Sequence, residues 1–189
     1  MIHDYDRSGY IGASDVRYVC GSWKGKTFEK WWLEKLGVVQ NRYQNRYMQA
    51  GNAWEHRILR AVNIPGLELD SQFILEELKL RVNLDGNTRD KIYEVKTYRL
   101  QNGFHPDKWH RYQVLVQMLG SGIRQGEILY YGLREQDYSC SGIVDPGRIN
   151  RVPVVYDPVW LDQVYLPRHR ELVRCMQARI FPPERECGI

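Results

Sequence analysis

The sequence predicts a single α/β domain in which a mixed central β-sheet is flanked by helices. Its first third has the apolar spacing of helices, its middle alternates like strands, and helical and strand patterns follow one another to the end. With 189 residues, 43% of them hydrophobic and 26% charged, the chain can bury a core. We expect N-terminal helices over 1–65, a sheet core over 66–135, and a C-terminal strand and helix over 136–189.

Three helices are predicted before the sheet. Ser14 and Asp15 are residues that can cap a short helix, and a second helix over 27–36 ends at Gly37. The third helix, over 43–62, carries an apolar stripe at helical spacing, formed by Trp54, Ile58, Leu59 and Val62. Glu55 lies beside that stripe.

A strand pair is predicted in the middle of the chain. After the turn signal at 64–66, apolar and polar residues alternate over 78–85, which indicates a strand with one wet face. The turn-forming residues 86–90 separate it from a second strand over 92–97, so the two form an antiparallel hairpin.

The remaining pattern completes the sheet and its cover. A helix over 107–119, a strand over 127–133, an irregular loop over 136–151, a strand over 152–156 and a helix over 158–180 are expected. The short connections between them leave no room for a separate domain.

The hairpin carries the main candidate for chemistry. Residues two apart on a strand point to the same face, so Glu94 and Lys96 project together. Asp85 lies at the end of the partner strand, with eight residues between it and Glu94, and the hairpin can bring its carboxylate beside them. A Glu-x-Lys pair alone is more often a solvated strand face than a catalytic site.

Phosphodiester hydrolysis would use these residue types well. It needs hard oxygen ligands for Mg²⁺, an activated water and positive charge at the transition state. Asp85, Glu94 and the backbone carbonyl of Val95 would supply the oxygens. Lys96 would orient or deprotonate the water, and a nearby cation would help lower its pKa.

Several segments in order resemble the PD-(D/E)xK nuclease superfamily, and within it the group of phage lambda exonuclease and the YqaJ-type viral recombination nucleases. They span roughly 11–133, although the proline that commonly precedes the family's aspartate is absent before Asp85. The matching segments are 11–15 with 33–37, 51–55, 84–86, 94–97, and the helix that carries Gln113 and Gln117.

The resemblance implies a restriction-endonuclease-like core and a Mg²⁺- or Mn²⁺-dependent DNA exonuclease that holds two metal ions. It assigns Glu55 to the metal centre, where it would help hold the second ion, and it makes Ser14 and Gln113 contacts to a DNA phosphate. It also implies a ring-shaped homotrimer that threads duplex DNA and degrades the 5′-ended strand. A phage origin, a role in DNA recombination and a single-strand annealing protein as partner follow from the same resemblance.

Basic residues near the proposed centre are candidates for contacts to the DNA backbone, and the net charge of +4 is compatible with a polyanionic partner. Each is individually more often solvated, and Trp109 is more often core than a base-stacking residue. The basic candidates are Lys79, Arg81, Arg99, Lys108, His110 and Arg111.

Three alternative functions remain open, of which two are other kinds of nuclease. The third is a binding module on a decayed nuclease scaffold, although the full set of acidic and lysine residues disfavours decay. One of the nucleases is an endonuclease of restriction or junction-resolving type on the same core. The other is an iron–sulfur nuclease of the Cas4 and AddB types. Its late cysteines should be tightly spaced, whereas Cys140, Cys175 and Cys187 are far apart and Cys20 is distant. Reduced, mostly buried thiols are the simpler interpretation.

No membrane association is expected. The first ten residues lack the basic-then-apolar pattern of a signal peptide, and no apolar run approaches the length of a membrane span. We therefore expect a cytoplasmic protein.

Overall fold

A computed structural model describes residues 8–40 and 45–188, and six strands in them form one mixed sheet. Strands β1 and β3, and β4 and β5, run parallel, whereas β2 with β3, β3 with β4, and β5 with β6 run antiparallel. The order is β1-β3-β4-β5-β6, with β2 added to β3. The strands are β1 (Ile11–Gly12), β2 (Glu68–Leu75), β3 (Leu80–Asn87), β4 (Lys91–Arg99), β5 (Gln125–Leu133) and β6 (Ile149–Val155). The predicted mixed α/β sheet is thereby confirmed.

The helices cover both faces of the sheet. Three of them begin at side-chain caps. Asn45 accepts hydrogen bonds from the first turn of α3, Asp107 accepts one from Trp109 in α4, and Asp157 accepts one from Trp160 in α5. The helices are α1 (Val16–Cys20), α2 (Lys26–Lys35), α3 (Arg46–Val62), α4 (Lys108–Ser121), the short α5 (Pro158–Trp160) and α6 (Leu166–Ala178).

Strand β3 pairs with three other strands of the sheet. One of its edges pairs with β2 from Leu80 to Asn87. The other edge pairs with β1 only at Leu80 and Arg81, and with β4 only at Gly86 and Asn87. Since a strand has two edges, β1 and β4 share this second edge, and no described strand lies beside the part of β3 between their pairings. This opening, called the β3 gap below, is where the candidate site lies.

The two faces of the sheet carry separate apolar clusters. On one face α1, α2, α4 and α6 pack with the inward side chains of β3, such as Val82 and Leu84. On the other face α3 packs through Trp54 and Ile58 on β4 and β5. As the predicted alternation requires, Glu94 and Lys96 point away from Tyr93 and Val95, which belong to the α3 cluster.

The predicted helices and later strands are present with shifted ends. The expected start of the third helix, Tyr43, lies outside the described residues, and α3 is described from Arg46. The C-terminal helix expected over 158–180 is divided by a π-helical turn, Leu161–Tyr165. Pro167 follows at the start of α6, and because proline has no backbone N–H, the regular hydrogen-bond ladder cannot continue through it.

Strand β2 was not predicted, because its sequence hides its period. Its apolar residues Phe73, Ile74 and Leu75 follow one another in the sequence without alternation, although Ile74 is exposed on the strand. Asp70, in its middle, has a positive φ of 57° that interrupts the regular strand geometry.

The predicted turn over 86–90 was too long, and β3 begins later than expected. Glu76–Leu78 form a helical turn that ends at Lys79 with a positive φ of 47°, so the strand starts at Leu80. At its other end β3 continues through Gly86 and Asn87, both buried. A Cβ atom at Gly86 would lie 3.0 Å from Leu67 and 3.2 Å from Leu59, so this glycine permits close packing rather than a turn.

No helix among the described residues has both the length and the apolar character that crossing a membrane requires.

Candidate active site

The Asp85 side chain occupies the β3 gap. Pairing between β3 and β4 stops at Gly86 and Tyr93, one position before Asp85 would face Glu94. Instead, the backbone N–H of Val95 donates a hydrogen bond of 2.7 Å to Oδ2 of Asp85. A carboxylate thus replaces the backbone carbonyl of a regular ladder, and this fixes Asp85 between the two strands.

Glu94 is the most enclosed acidic group of the site, with its side chain 1% exposed. Its Oε1 accepts hydrogen bonds from Nζ of Lys96 at 2.5 Å and from Nε2 of Gln113 at 2.6 Å. Its Oε2 accepts one from Nε2 of Gln117 at 2.6 Å. Two glutamines four residues apart on α4 therefore orient this carboxylate from one side.

The first cavity of the site, on the α4 side, joins the predicted catalytic and phosphate-binding residues. Its volume is about 210 Å³, and it brings Ser14, Arg81 and Gln113 to the same space as Asp85 and Lys96. The full lining is Tyr10, Gly12, Ala13, Ser14, Lys35, Arg81, Asn83, Asp85, Glu94, Lys96 and Gln113.

A second cavity opens on the α3 side of the same residues. It measures about 430 Å³ and is lined by Glu55 together with Asp85, Val95 and Lys96. Asp85 and Lys96 line both cavities. The predicted catalytic residues thus lie between two openings, and Glu55 reaches them from helix α3 as the resemblance implies.

The electrostatics of the site reflect an excess of acidic groups. Desolvation, together with the charges of Glu94 and Glu55, raises the pKa of Asp85 well above its usual range. Burial and the charge of Glu94 raise the pKa of Glu55 to about 7. Burial lowers the pKa of Lys96, but the carboxylates of Glu94 and Asp85 outweigh it, so the pKa rises overall. The ammonium form of Lys96 is therefore favoured by its protein surroundings.

His56 has an acidic partner that sequence spacing does not reveal. Its Nε2 lies 3.0 Å from Oδ1 of Asp70, fourteen residues along the chain on β2. These two side chains and Glu55 offer ligand atoms within 4.8 Å of one another. The pairing could not be foreseen without β2, since that strand brings Asp70 to α3.

The predicted DNA-contacting residues divide into two groups. Ser14, Arg81 and Gln113 line the first cavity, and Gln113 also holds Glu94. Lys108 and Arg111, at the start of α4, line none of the described cavities. Arg111 instead pairs with Asp157 at 3.4 Å.

Two aromatic residues of α4 pack, as was expected for Trp109. Tyr112 stacks on Trp160 with ring centroids 4.4 Å apart. Trp109 packs partly buried against the core. Ser14 is not at either N-cap position at the start of the chain, since Gly12 precedes the first helical turn and Asp15 precedes α1.

Three residues of the site were not proposed from sequence as site residues. Asn83 had a usable signal, because it alternates with Arg81 and Asp85 on the same face of β3. Gln117 had a weaker one, its helical spacing from Gln113. Lys35 lies in the matched segment 33–37, but that segment does not show its burial, which depends on a partner twenty residues away, Asp15.

The cysteines do not form a cluster site. All four are free and lie in the described part of the chain, with Cys20 and Cys175 buried and Cys187 exposed. Among the described residues no convergent group of metal-ligating side chains includes a cysteine; the group found is Glu55, His56 and Asp70. This arrangement gives no support to the iron–sulfur alternative.

Comparison with known proteins gives the fold. No family model matches the sequence. No curated protein matches it either. Among solved structures, the alkaline exonuclease (LHK-Exo) from Laribacter hongkongensis superposes with a TM-score of 0.70 and 16% identity, over 90% of this chain and 89% of that one. A phage-related exonuclease from Haemophilus somnus 129PT gives 0.61 and 13%, over 90% and 96%.

A third solved structure, SSO0001, gives a TM-score of 0.52 at 15% identity, over 90% of this chain and 76% of that one. At these identities the similarity establishes a shared fold. The two exonucleases agree with the group that the sequence motifs resemble, and the predicted restriction-endonuclease-like core is consistent with them.

Proposed function

We propose that this protein is a metal-dependent deoxyribonuclease that hydrolyses phosphodiester bonds at the ends of double-stranded DNA, in the manner of a lambda-type exonuclease. The observation that carries the proposal is the convergence of Asp85, Glu94 and Lys96 in the β3 gap. The fold that this chain shares with two exonucleases also supports the proposal.

The charge of the site suits a divalent cation. Asp85, Glu94 and Glu55 face one ammonium group, Lys96, and burial together with the neighbouring carboxylates raises the pKa values of Asp85 and Glu55. Carboxylate oxygens are the ligands that Mg²⁺ and Mn²⁺ prefer. Asp85, Glu94 and the backbone carbonyl of Val95 would hold one ion, and Glu55 would help hold a second. Such ions supply Lewis-acid polarisation of the phosphate and a lower pKa for an attacking water.

The remaining groups have roles that follow from their positions. Gln113 and Gln117 keep the Glu94 carboxylate oriented toward the gap. Lys96, between the two cavities, can donate to a phosphate oxygen or orient the water. Its charge also stabilises the negative charge that develops on phosphorus. Hydrolysis in this arrangement leaves a 5′-phosphate and a 3′-hydroxyl.

Ser14, Arg81 and Gln113 favour an enzyme that acts at a strand end. Side-chain hydroxyl, guanidinium and amide groups in one cavity of about 210 Å³ suit a single phosphate group. The fold also accepts a nucleotide, because the Laribacter exonuclease was solved in complex with dAMP. By the family resemblance we extend the proposal to 5′-to-3′ polarity, a homotrimer, and a single-strand annealing protein as partner in recombination.

The test is digestion of linear duplex DNA labelled at either the 5′ or the 3′ end, beside a closed circle of the same sequence. We expect Mg²⁺-dependent release of 5′-labelled mononucleotide and an intact circle. Cleavage of the circle would replace the exonuclease with the endonuclease alternative. Absence of hydrolysis with Mg²⁺ or Mn²⁺ on any of these substrates would refute the proposed function.

A further inference from the structure

A third cavity lies where β4 and β5 end, on the α3 side of the sheet. It measures about 280 Å³, near the lower limit for pockets that bind small ligands. Its lining is Arg99, Leu100, Gln101, Leu133, Arg134, Glu135 and Tyr138. The cavity is called the arginine pocket below.

The charge of the arginine pocket is unbalanced and positive. Within residues 8–40 and 45–188, neither Arg99 nor Arg134 has a carboxylate partner. Glu135, the acidic member of the lining, pairs with Arg46 at 3.3 Å instead. Two guanidinium groups in one cavity, neither of them paired with a described carboxylate, are suited to bind an anion, and phosphate matches their planar donor geometry.

Aromatic and apolar groups accompany this charge. The guanidinium of Arg99 lies 4.2 Å from the ring centre of Tyr47, and the rings of Tyr47 and Tyr138 meet edge to face at 5.3 Å. Leu100 and Leu133 complete the apolar part of the wall. A ligand that combines an anionic group with a flat ring, as a nucleotide does, satisfies both parts of the pocket.

The pocket continues the groove of the catalytic centre. Val95, Thr97 and Arg99 alternate on β4, so they lie on the same face; the first two line the cavity that holds Glu55, and the third lines the arginine pocket. Tyr47 lines the Glu55 cavity and contacts both Arg99 and Tyr138. Because a strand rises about 3.3 Å per residue, Lys96 and Arg99 are roughly 10 Å apart along β4, which a short stretch of nucleotides can span.

We propose that the arginine pocket binds a nucleotide of the DNA strand that is being cut, on the opposite side of the cleaved bond from Ser14. This rests on the proposed function and adds a second anchoring point to it. Phosphate contacts from Arg99 and Arg134 and stacking on Tyr138 hold the strand without reading its sequence. The catalytic residues lie between this anchor and the Ser14 cavity, so the strand is held on both sides of the scissile phosphate.

The test measures how affinity grows with strand length. Fluorescently labelled oligothymidylates of increasing length are titrated in EDTA, where cleavage is blocked, and anisotropy reports binding to the full chain. For the native protein, affinity should rise roughly fivefold or more at the length that reaches the pocket, as one stacked base contributes. Arg99→Gln and Tyr138→Ser should lose that step, whereas Tyr138→Phe, which keeps the ring, should retain it.

Two controls keep the test specific. Arg174→Gln removes one positive charge from α6, where Arg174 is exposed and pairs with Glu171, and it should keep the step. Hydrolysis of bis(para-nitrophenyl) phosphate, which is too small to reach the pocket, should be unchanged in all variants. Circular dichroism melting identifies any variant that fails to fold. If Tyr138→Ser fails to fold, the length dependence of Arg99→Gln tests the pocket.

The outcomes separate the pocket from the catalytic proposal. An equal length dependence in the native protein and in folded Arg99→Gln would overturn the pocket and leave the nuclease intact. A second result would also overturn the proposed strand anchor: Arg99→Gln abolishes the binding of free dAMP but leaves the length dependence unchanged. The pocket would then be a site for a free mononucleotide. Failure of the native protein to hydrolyse any phosphodiester counts against the proposed function instead.

Discussion

Two carboxylate–lysine pairs in this protein have similar geometry but differ in the groups around them, although Lys35 lines the same cavity as Glu94 and Lys96. Asp15 and Lys35 are 2.7 Å apart, with both side chains 2% exposed. Glu94 and Lys96 are 2.5 Å apart, and their side chains are 1% and 24% exposed. Distance and burial of the carboxylate alone do not distinguish the Asp15–Lys35 pair from the pair that we propose to be catalytic.

The difference lies in the charges around each pair. Asp15 also accepts hydrogen bonds from Gly12 and Trp31, and Lys35 also donates to the carbonyl of Tyr10. Among the described residues, the charges of Asp15 and Lys35 oppose each other in this contact. Around Glu94 and Lys96 there are two more acidic groups, Asp85 and Glu55, and burial together with the charges of Glu94 and Glu55 raises the pKa of Asp85. Unbalanced charge in a partly open site marks functional chemistry better than the pair itself does.

The largest expected effect comes from Asp85→Asn. The amide oxygen can still accept the hydrogen bond from Val95, but a metal-binding charge is lost, so hydrolysis of labelled DNA should fall by at least about a thousandfold. Because the substitution also relieves repulsion with Glu94 and Glu55, unfolding free energy in EDTA should rise by roughly 1 kcal/mol. Urea denaturation measures that change.

Asp90→Asn is the matched control, since Asp90 is an exposed acidic residue of the turn between β3 and β4. It should change neither activity nor stability measurably. If Asp85→Asn kept native activity, Asp85 would have no part in the reaction. If it lowered stability in EDTA, the charge excess would not be a source of strain.

Lys35→Met should act on stability in the opposite direction. It leaves the buried Asp15 charge without its counter-ion, so unfolding free energy should fall by roughly 3 kcal/mol. Adding Asp15→Asn should recover a large part of that loss, because no buried charge then remains. Urea denaturation of the two single variants and the double variant gives the coupling between them.

The exposed pair Glu171 and Arg174 sets the scale for this measurement. The two side chains are 2.8 Å apart, with Arg174 61% exposed and Glu171 23% exposed, and Arg174→Gln should cost no more than about 0.5 kcal/mol. An equally small loss for Lys35→Met would mean that the buried pair is not a structural element, and the contrast between the two pairs would fail.

Local pattern was enough to predict the elements that frame the site. Period-two alternation placed Asp85 on one face of β3 and Glu94 with Lys96 on one face of β4, and the structure brings them together. Helical spacing placed Glu55 on α3 and Gln113 on α4, and both reach the same centre. These relations depend on neighbours along the chain, which sequence displays directly.

Long-range pairing was beyond the same reasoning. The β3 gap exists because β1 and β4 share one edge of β3, and no local pattern records which strand lies beside which. The contact between His56 and Asp70 depends on β2, whose alternation is obscured by exposed Ile74 and the positive φ of Asp70. The turn predicted over 86–90 was wrong at Gly86, because this glycine permits close packing inside β3.

The smallest expected effect is that of Gln117→Leu, which removes an orienting group while leaving every charge of the site in place. Gln117 is fully buried, and its Nε2 donates to Glu94 at 2.6 Å and to the carbonyl of Asn83 at 3.0 Å. Its Oε1 has no hydrogen-bond partner among the described residues, so replacing the amide by an apolar group of similar size should cost less than about 1 kcal/mol of stability.

The function of the site should suffer more, because a carboxylate that loses its supporting donor binds metal less well. The Mg²⁺ concentration for half-maximal hydrolysis should rise roughly tenfold to a hundredfold in Gln117→Leu, and urea denaturation should change little. Gln177→Leu makes the same replacement at an exposed position of α6 and should leave the Mg²⁺ dependence unaltered. An unchanged Mg²⁺ requirement in Gln117→Leu would show that Glu94 is held by Lys96 and Gln113 alone, and the orienting role would pass to Gln113, whose Nε2 lies equally close to the carboxylate.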